Sequence, residues 1–159
     1  MRSLAFPLPR AAAALVLAAV AACGESPVAP DTSPLDGTWT LAVTHLADSK
    51  VSCEVSPFTV TLTTSASALT GDSEAAASSH AECSVIGGAP PYSTPFYPTG
   101  ALAGEVSGST VSLALDDGSW AFAGTRSGST ISGIATYHGT DSAGAVERTG
   151  TFTLRRVAR

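Results

Sequence analysis

Three cysteines, three histidines and one adjacent aspartate pair are the side chains of this 159-residue chain that could do more than pack. Cys53 and Cys83 are the first candidates. In an oxidising compartment a single pair most simply forms a disulfide, and closing a loop of about 30 residues stabilises a fold by roughly 3–4 kcal/mol. The competing arrangement is a metal site recruiting His80 and Glu82 beside Cys83, in His80-Ala81-Glu82-Cys83, but no second liganding pair stands at metal spacing. His45 and His138 fall near expected strand ends, where an imidazole is usually a solvated rim residue. Asp116-Asp117 does not form paired carboxylates, because strand neighbours point to opposite faces and Gly118 marks a turn. The serines belong to turns and outer faces. No Gly-x-Ser-x-Gly elbow occurs, and no helix is expected that could strain one or cradle a phosphate. The chain is therefore expected not to be an enzyme and to hold neither metal nor cofactor.

The stretch least like the rest runs from Gly87 to Gly100, with four prolines and the aromatics Tyr92, Phe96 and Tyr97. Proline stiffens such a segment, so it loses less entropy on binding than a flexible loop. Aromatics on a stiff loop anchor an interface or lid a pocket. The alternative is a loop that folds back and packs its rings over the end of the fold. Tyr92, Phe96 and Tyr97 are the candidate ligand or partner contacts.

The elements that must position these groups are strands. Trp39, Leu41 and Val43 alternate with threonine and alanine; so do Phe58, Val60 and Leu62, and Val111, Leu113 and Leu115 alternate with small or hydroxylic residues. Trp120 and Phe122, then Phe152 and Leu154, keep the same period of two. One apolar face per strand fits antiparallel strands lining a core on one side. Ser107-Gly108-Ser109-Thr110-Val111-Ser112 recurs twenty residues later as Ser127-Gly128-Ser129-Thr130-Ile131-Ser132. Asp36-Gly37-Thr38-Trp39 is echoed by Asp117-Gly118-Ser119-Trp120. Twenty residues make two strands and two turns, and glycine supplies the positive φ of tight hairpins. The reading is all-β: an antiparallel up-and-down meander of about eight or nine strands, at 37–46, 57–64, 67–75, 80–86, 101–107, 110–116, 119–126, 129–138 and 147–156. Closure into a small barrel would remove the exposed edges; a β-sandwich is the alternative.

The start of the chain reads differently. Arg2 and Arg10 precede an unbroken apolar run from Ala11 to Ala22, about 18 Å as a helix and too short for a bilayer core of roughly 30 Å. A charged start, a short apolar centre and small residues at its end mark residues 1–22 as a signal peptide. Val20-Ala21-Ala22-Cys23 resembles the lipobox of bacterial lipoproteins, which implies a diacylglycerol on Cys23 and cleavage before it. Ordinary cleavage after Ala19-Val20-Ala21 would instead leave Cys23 a free thiol, an odd unpaired cysteine in an exported protein. Acyl chains contribute about 0.8 kcal/mol per buried CH₂, so two or three would anchor the protein durably. Gly24 after the cysteine favours, by resemblance to the sorting rule of two-membrane bacteria, the outer membrane. Residues 23–34 read as a Pro-rich, disordered tether, and residues 35–159 as one domain. Without Arg2 and Arg10 the chain keeps six basic against 13 acidic residues, a net charge of −7. So acidic a surface has no footprint for nucleic acid or for anionic lipid headgroups.

Gly37-Thr38-Trp39 on the first strand and Arg155-Arg156 on the last are similar to the lipocalin-like (calycin) barrels. That resemblance implies that Trp39 closes the barrel floor and that an arginine of the last strand stacks on it. Arg156 shares the inward phase of Phe152 and Leu154 and is the better candidate. Small lipid-anchored barrels with one disulfide also occur among bacterial inhibitors of hydrolases. The expected function is thus a non-enzymatic envelope module for a small apolar ligand, with an inhibitor or protein-interaction domain, or a structural surface domain, as alternatives. The partners expected are the membrane, through the N-terminal lipid, and a small apolar ligand or an envelope protein. If the lipobox reading holds, intact-mass measurement on protein from bacterial membranes will find Cys23 as the first residue, carrying diacylglycerol. An unlipidated chain beginning at Ala22, or one retaining Met1, contradicts it.

Overall fold

The computed structural model describes residues 34–74, 79–94, 98–141 and 144–158. They form ten strands: β1 (Gly37–Ala47), β2 (Val51–Ser65), β3 (Ala68–Glu74), β4 (Ala81–Val85), β5 (Tyr92–Thr94), β6 (Gly100–Ser107), β7 (Thr110–Leu115), β8 (Trp120–Ser127), β9 (Thr130–Asp141) and β10 (Gly144–Arg156). All pairings are antiparallel. The sheet closes on itself because β1 pairs with β10 along one edge and with β2 along the other. The ring is an eight-strand barrel, with β4 and β5 as additional strands. The meander and its closure stand as expected, and the sandwich alternative does not.

The two additional strands have a simple place in the ring. β3 takes the edge of β2 from Thr59 to Ser65, and β4 takes the same edge from Val51 to Val55. On the far side β6 pairs with β3 and β5 with β4. So β3 with β4, and β5 with β6, act as two long interrupted strands joined by the Ile86–Pro91 loop. Across the interruption Ser73 Oγ donates to Pro98 O at 2.5 Å.

Inward and outward phases follow the alternation read from the sequence. Trp39, Leu41, Val43, Val60, Leu62, Val111, Leu113, Leu115, Phe152 and Leu154 are all buried. Two slips reset the phase. Leu41 faces Phe58 but Val43 faces Val55, so β2 uses an extra residue at Ser56-Pro57; a proline without an N–H suits such a bulge. Three residues further on, β1 carries an extra residue relative to both neighbours at His45, whose φ is +54°. This is why Leu46 rather than His45 turns inward.

The floor, at the Trp39 end, is built from three like hairpins. Gly108 and Gly128 have φ of +59° and +58°, and Ala66 occupies the same position at +55°. The third residue of each turn accepts a backbone hydrogen bond from the next hairpin around the ring: Val106 N–H to Ser67 O, Arg126 N–H to Ser109 O and Arg156 N–H to Ser129 O. The twenty-residue repeat is therefore one hairpin of the barrel.

The inward phase also contains glycines that the alternation pattern passed over. Gly71, Gly104, Gly124, Gly133 and Gly150 stand on the same face as the buried hydrophobics of their strands. A Cβ on Gly104 would overlap the Ser112 carbonyl, and one on Gly133 the Ala123 carbonyl. Strands that coil this tightly need glycine at the bend. Gly104→Ala is expected to lower stability by about 1–3 kcal/mol, the usual range for an overpacked site. Ala103→Ser, one residue away on the outer face, should cost less than about 0.5 kcal/mol. Denaturant melts of the two variants check both.

Candidate functional site

Both ends of the barrel carry predicted site residues, and they are built differently. At the floor the guanidinium of Arg156 lies 5.0 Å from the centre of the Trp39 ring. Its Nη2 donates to Pro34 O at 2.6 Å and to Asp36 O at 2.9 Å. Trp39 Nε1 donates to Leu35 O at 2.9 Å, Leu35 N–H to Thr64 Oγ1 at 3.1 Å, and Thr64 N–H to the Asp36 carboxylate at 2.5 Å. Residues 34–36 are thus strapped across the floor with Leu35 as its plug. Arg156 Nε is buried without a hydrogen-bond partner, so the indole face is what faces the cation there. Trp39 and Arg156 stand together as expected. Their bonds are spent on the protein itself, so the floor is a seal.

The interior above it is filled. Trp39, Phe58, Trp120, Phe122 and Phe152 are each at most 4% exposed and occupy it with their rings. Phe122 meets Phe152 edge-on at 5.3 Å and stacks with Trp120 at 5.9 Å, and Trp120 meets Tyr137 at 5.2 Å. These four rings form a column from mid-barrel to the mouth. Tyr137 leans over Gly139, where a Cβ would collide with the phenol ring.

At the mouth the wall is uneven. The β9–β10 ladder continues for four pairs beyond Tyr137, from His138–Glu147 to Asp141–Gly144, whereas β8 begins at Trp120 and β7 ends at Leu115. Opposite, β4 and β5 rise beside the upper half of β2 and are pinned there by the Cys53–Cys83 disulfide, with the two cysteines directly across the ladder. Tyr92 lies opposite Cys83, so its side chain is on the disulfide's face of the sheet, yet it is 43% exposed. Ile86, at the start of the loop, is 60% exposed. Phe96 and Tyr97 lie outside the described residues, as do Cys23 and the signal peptide.

The histidines flank this end. His45 Nδ1 is 3.1 Å from Glu54, His80 Nε2 is 3.1 Å from Glu82, and His138 Nδ1 is 3.5 Å from Glu147, all with exposed side chains. Among the described residues no group of three His, Cys, Asp or Glu side chains is placed to hold a metal. Cys83 is committed to its disulfide, which removes it from the His80–Glu82 pair. Asp116 and Asp117 sit at the β7–β8 turn, where Gly118 N–H bonds Leu115 O. Hydrogen bonds from the Ser119 hydroxyl and N–H hold the exposed Asp117 carboxyl below its ordinary pKa.

One interaction at the mouth was not foreseen from the sequence. Asp48 accepts the N–H groups of Lys50 and Val51 at 2.6 and 2.9 Å, and its other oxygen takes Arg148 Nε at 2.9 Å. The pair is largely buried and ties the β1–β2 turn to β10. An arginine 100 residues away gave no local signal. Tyr137 was missed for another reason: it lies inside the strand expected at 129–138, in phase with Ile131 and Ala135, but Gly133 breaks the run of large inward residues there.

No protein-family model, curated protein or solved structure matches the chain. The barrel is compatible with a lipocalin-like fold.

Asp48 sets an acid limit on the mouth. Burial raises its pKa, but the two backbone N–H groups and Arg148 outweigh that, so its net value in the folded state lies below the ordinary 3.8. The stabilisation is therefore complete above the unfolded value and fades as pH falls through the lower folded one. Asp48→Asn should cost on the order of 1–2 kcal/mol near neutral pH. The gap to wild type should stay constant down to about pH 5 and close below about pH 4; urea melts across that range check it.

Proposed function

We propose that the protein is a non-enzymatic binding module, held at the bacterial envelope by lipid on Cys23, whose barrel presents its mouth to an apolar segment of another envelope protein. The observation that carries this reading is the aromatic column that fills the barrel and surfaces at the mouth as Tyr137, with half-exposed Tyr92 across from it. A cup for a small apolar molecule would enclose most of the ligand's surface. Here the level of Phe58, Phe122 and Phe152 is occupied, so what binds must bind shallowly at the rim. A shallow apolar rim on a rigid frame suits the side chains of a macromolecular partner, with aromatics as anchors. The disulfide supports this by fixing β4 and β5, which carry Tyr92, to the barrel wall.

Two measurements test it together. A photo-crosslinking residue in place of Tyr92, in living cells, should give a discrete protein adduct that is absent when the same residue replaces Thr125 on the outer wall. An uncharged naphthylamine probe titrated into the purified domain should show no saturable one-to-one site. Tight stoichiometric probe binding that quenches Trp120, with no adduct at Tyr92, would return the small-ligand reading.

A further inference from the structure

The mouth combines an uncharged apolar loop with a rim of exposed carboxylates. Residues 86–92 read Ile-Gly-Gly-Ala-Pro-Pro-Tyr and are exposed throughout, Ile86 at 60% and Tyr92 at 43%. The loop's stem is fixed by the Cys53–Cys83 disulfide and by Ile86 N–H, which donates to Lys50 O at 2.7 Å. At the same end stand Glu54 on β2, Glu82 on β4, Glu147 on β10, and Asp116 and Asp117 on the β7–β8 turn, all exposed. Among the described residues of this end the bases are Lys50 and Arg148, and Arg148 is committed to Asp48. With histidine counted as neutral, those five exposed carboxylates are set against the single exposed Lys50.

The fold gains nothing from two of these charges. Glu54 and Glu82 are directly opposite in the β2–β4 ladder, a placement of like charges that costs stability. His45 lies 3.1 Å from Glu54 and His80 3.1 Å from Glu82, which offsets the repulsion only when the imidazoles are protonated. An apolar centre with a charged rim is the layout of a protein–protein interface, and a rim of one sign selects a partner of the other. We infer that the segment accepted at the mouth is basic: an apolar side chain set against Ile86 and Tyr92, with lysines or arginines on either side of it drawn to Glu82, Asp116 and Glu147. This rests on the proposed reading of the mouth as a protein-binding surface and adds the partner's charge to it. Rim charges set the association rate and the choice of partner more than the final affinity. A neutral apolar segment would meet the same loop without that attraction, and an acidic one against it.

The Tyr92 photo-crosslink, made in isolated envelopes carrying the full-length protein, tests this when salt and rim charge are varied. Brief irradiation in about 500 mM salt should give at most about a fifth of the adduct formed in about 50 mM, because the screening length falls from roughly 14 Å to roughly 4 Å. Glu82→Gln, Asp116→Asn and Glu147→Gln together should produce the same loss at the lower salt, with a thermal melt to show that the variant is folded. If it is not, the salt series on the otherwise unaltered chain decides alone. Glu105→Gln, on the outer face of β6 toward the floor, should leave the yield unchanged. Mass spectrometry of the adduct should find Lys or Arg on both sides of the crosslinked residue. A yield that ignores salt, a loss as large with Glu105→Gln, or an acidic crosslinked segment overturns the basic partner and leaves the reading of the mouth standing. No adduct at either salt overturns both.

Discussion

β1 is hydrogen-bonded along both edges, and the closure it makes constrains everything else. A ring of eight strands encloses a space just wide enough for side chains. Large inward residues on one strand must therefore be met by small ones on another. Gly124 and Gly133 stand directly opposite one another, and a Cβ on Gly124 would crowd the Phe152 ring. The aromatic residues and the inward glycines are two halves of one packing solution. Its result is an interior occupied by aromatic side chains.

The ends then diverge for physical reasons. At the floor the chain crosses the opening before entering β1, so backbone carbonyls of Pro34 and Asp36 are available to Arg156, and the indole of Trp39 lies under the guanidinium. At the mouth the β9–β10 and β4–β5 hairpins overshoot the ring while the β7–β8 turn stops short. Two ties hold this end: the Cys53–Cys83 disulfide across the middle of the β2–β4 ladder, and Asp48–Arg148 where the β1–β10 ladder ends. These ties stand beside exposed Tyr92 and partly buried Tyr137 and hold the mouth in one shape.

Much of this was legible in the residue order. Alternation placed Trp39, Phe58, Phe122 and Phe152 on the inner face, the Ser-Gly-Ser repeat marked equivalent hairpins, and the pairing of Cys53 with Cys83 is as expected. Arg156 was separable from Arg155 by phase alone. What alternation could not carry were its own interruptions. Pro57 slips the phase of β2, so the half of that strand containing Cys53 and Val55 was read as loop. β5 is three residues long between prolines and had no pattern to show. The inward glycines were passed over, because an absent side chain carries no hydrophobic signal. Net charge is blind for a similar reason: a sum has no direction, whereas the fold places Asp116 and Asp117 at one end and Arg155 and Arg156 at the other.

The central claim is that the barrel is packed through its middle. Xenon under pressure enters dry apolar cavities and is readily located in crystals or by its NMR shift. The account predicts no saturable xenon site among Phe58, Phe122 and Phe152 in the folded protein. An ordered xenon atom within that ring of side chains would show that the interior holds a cup after all.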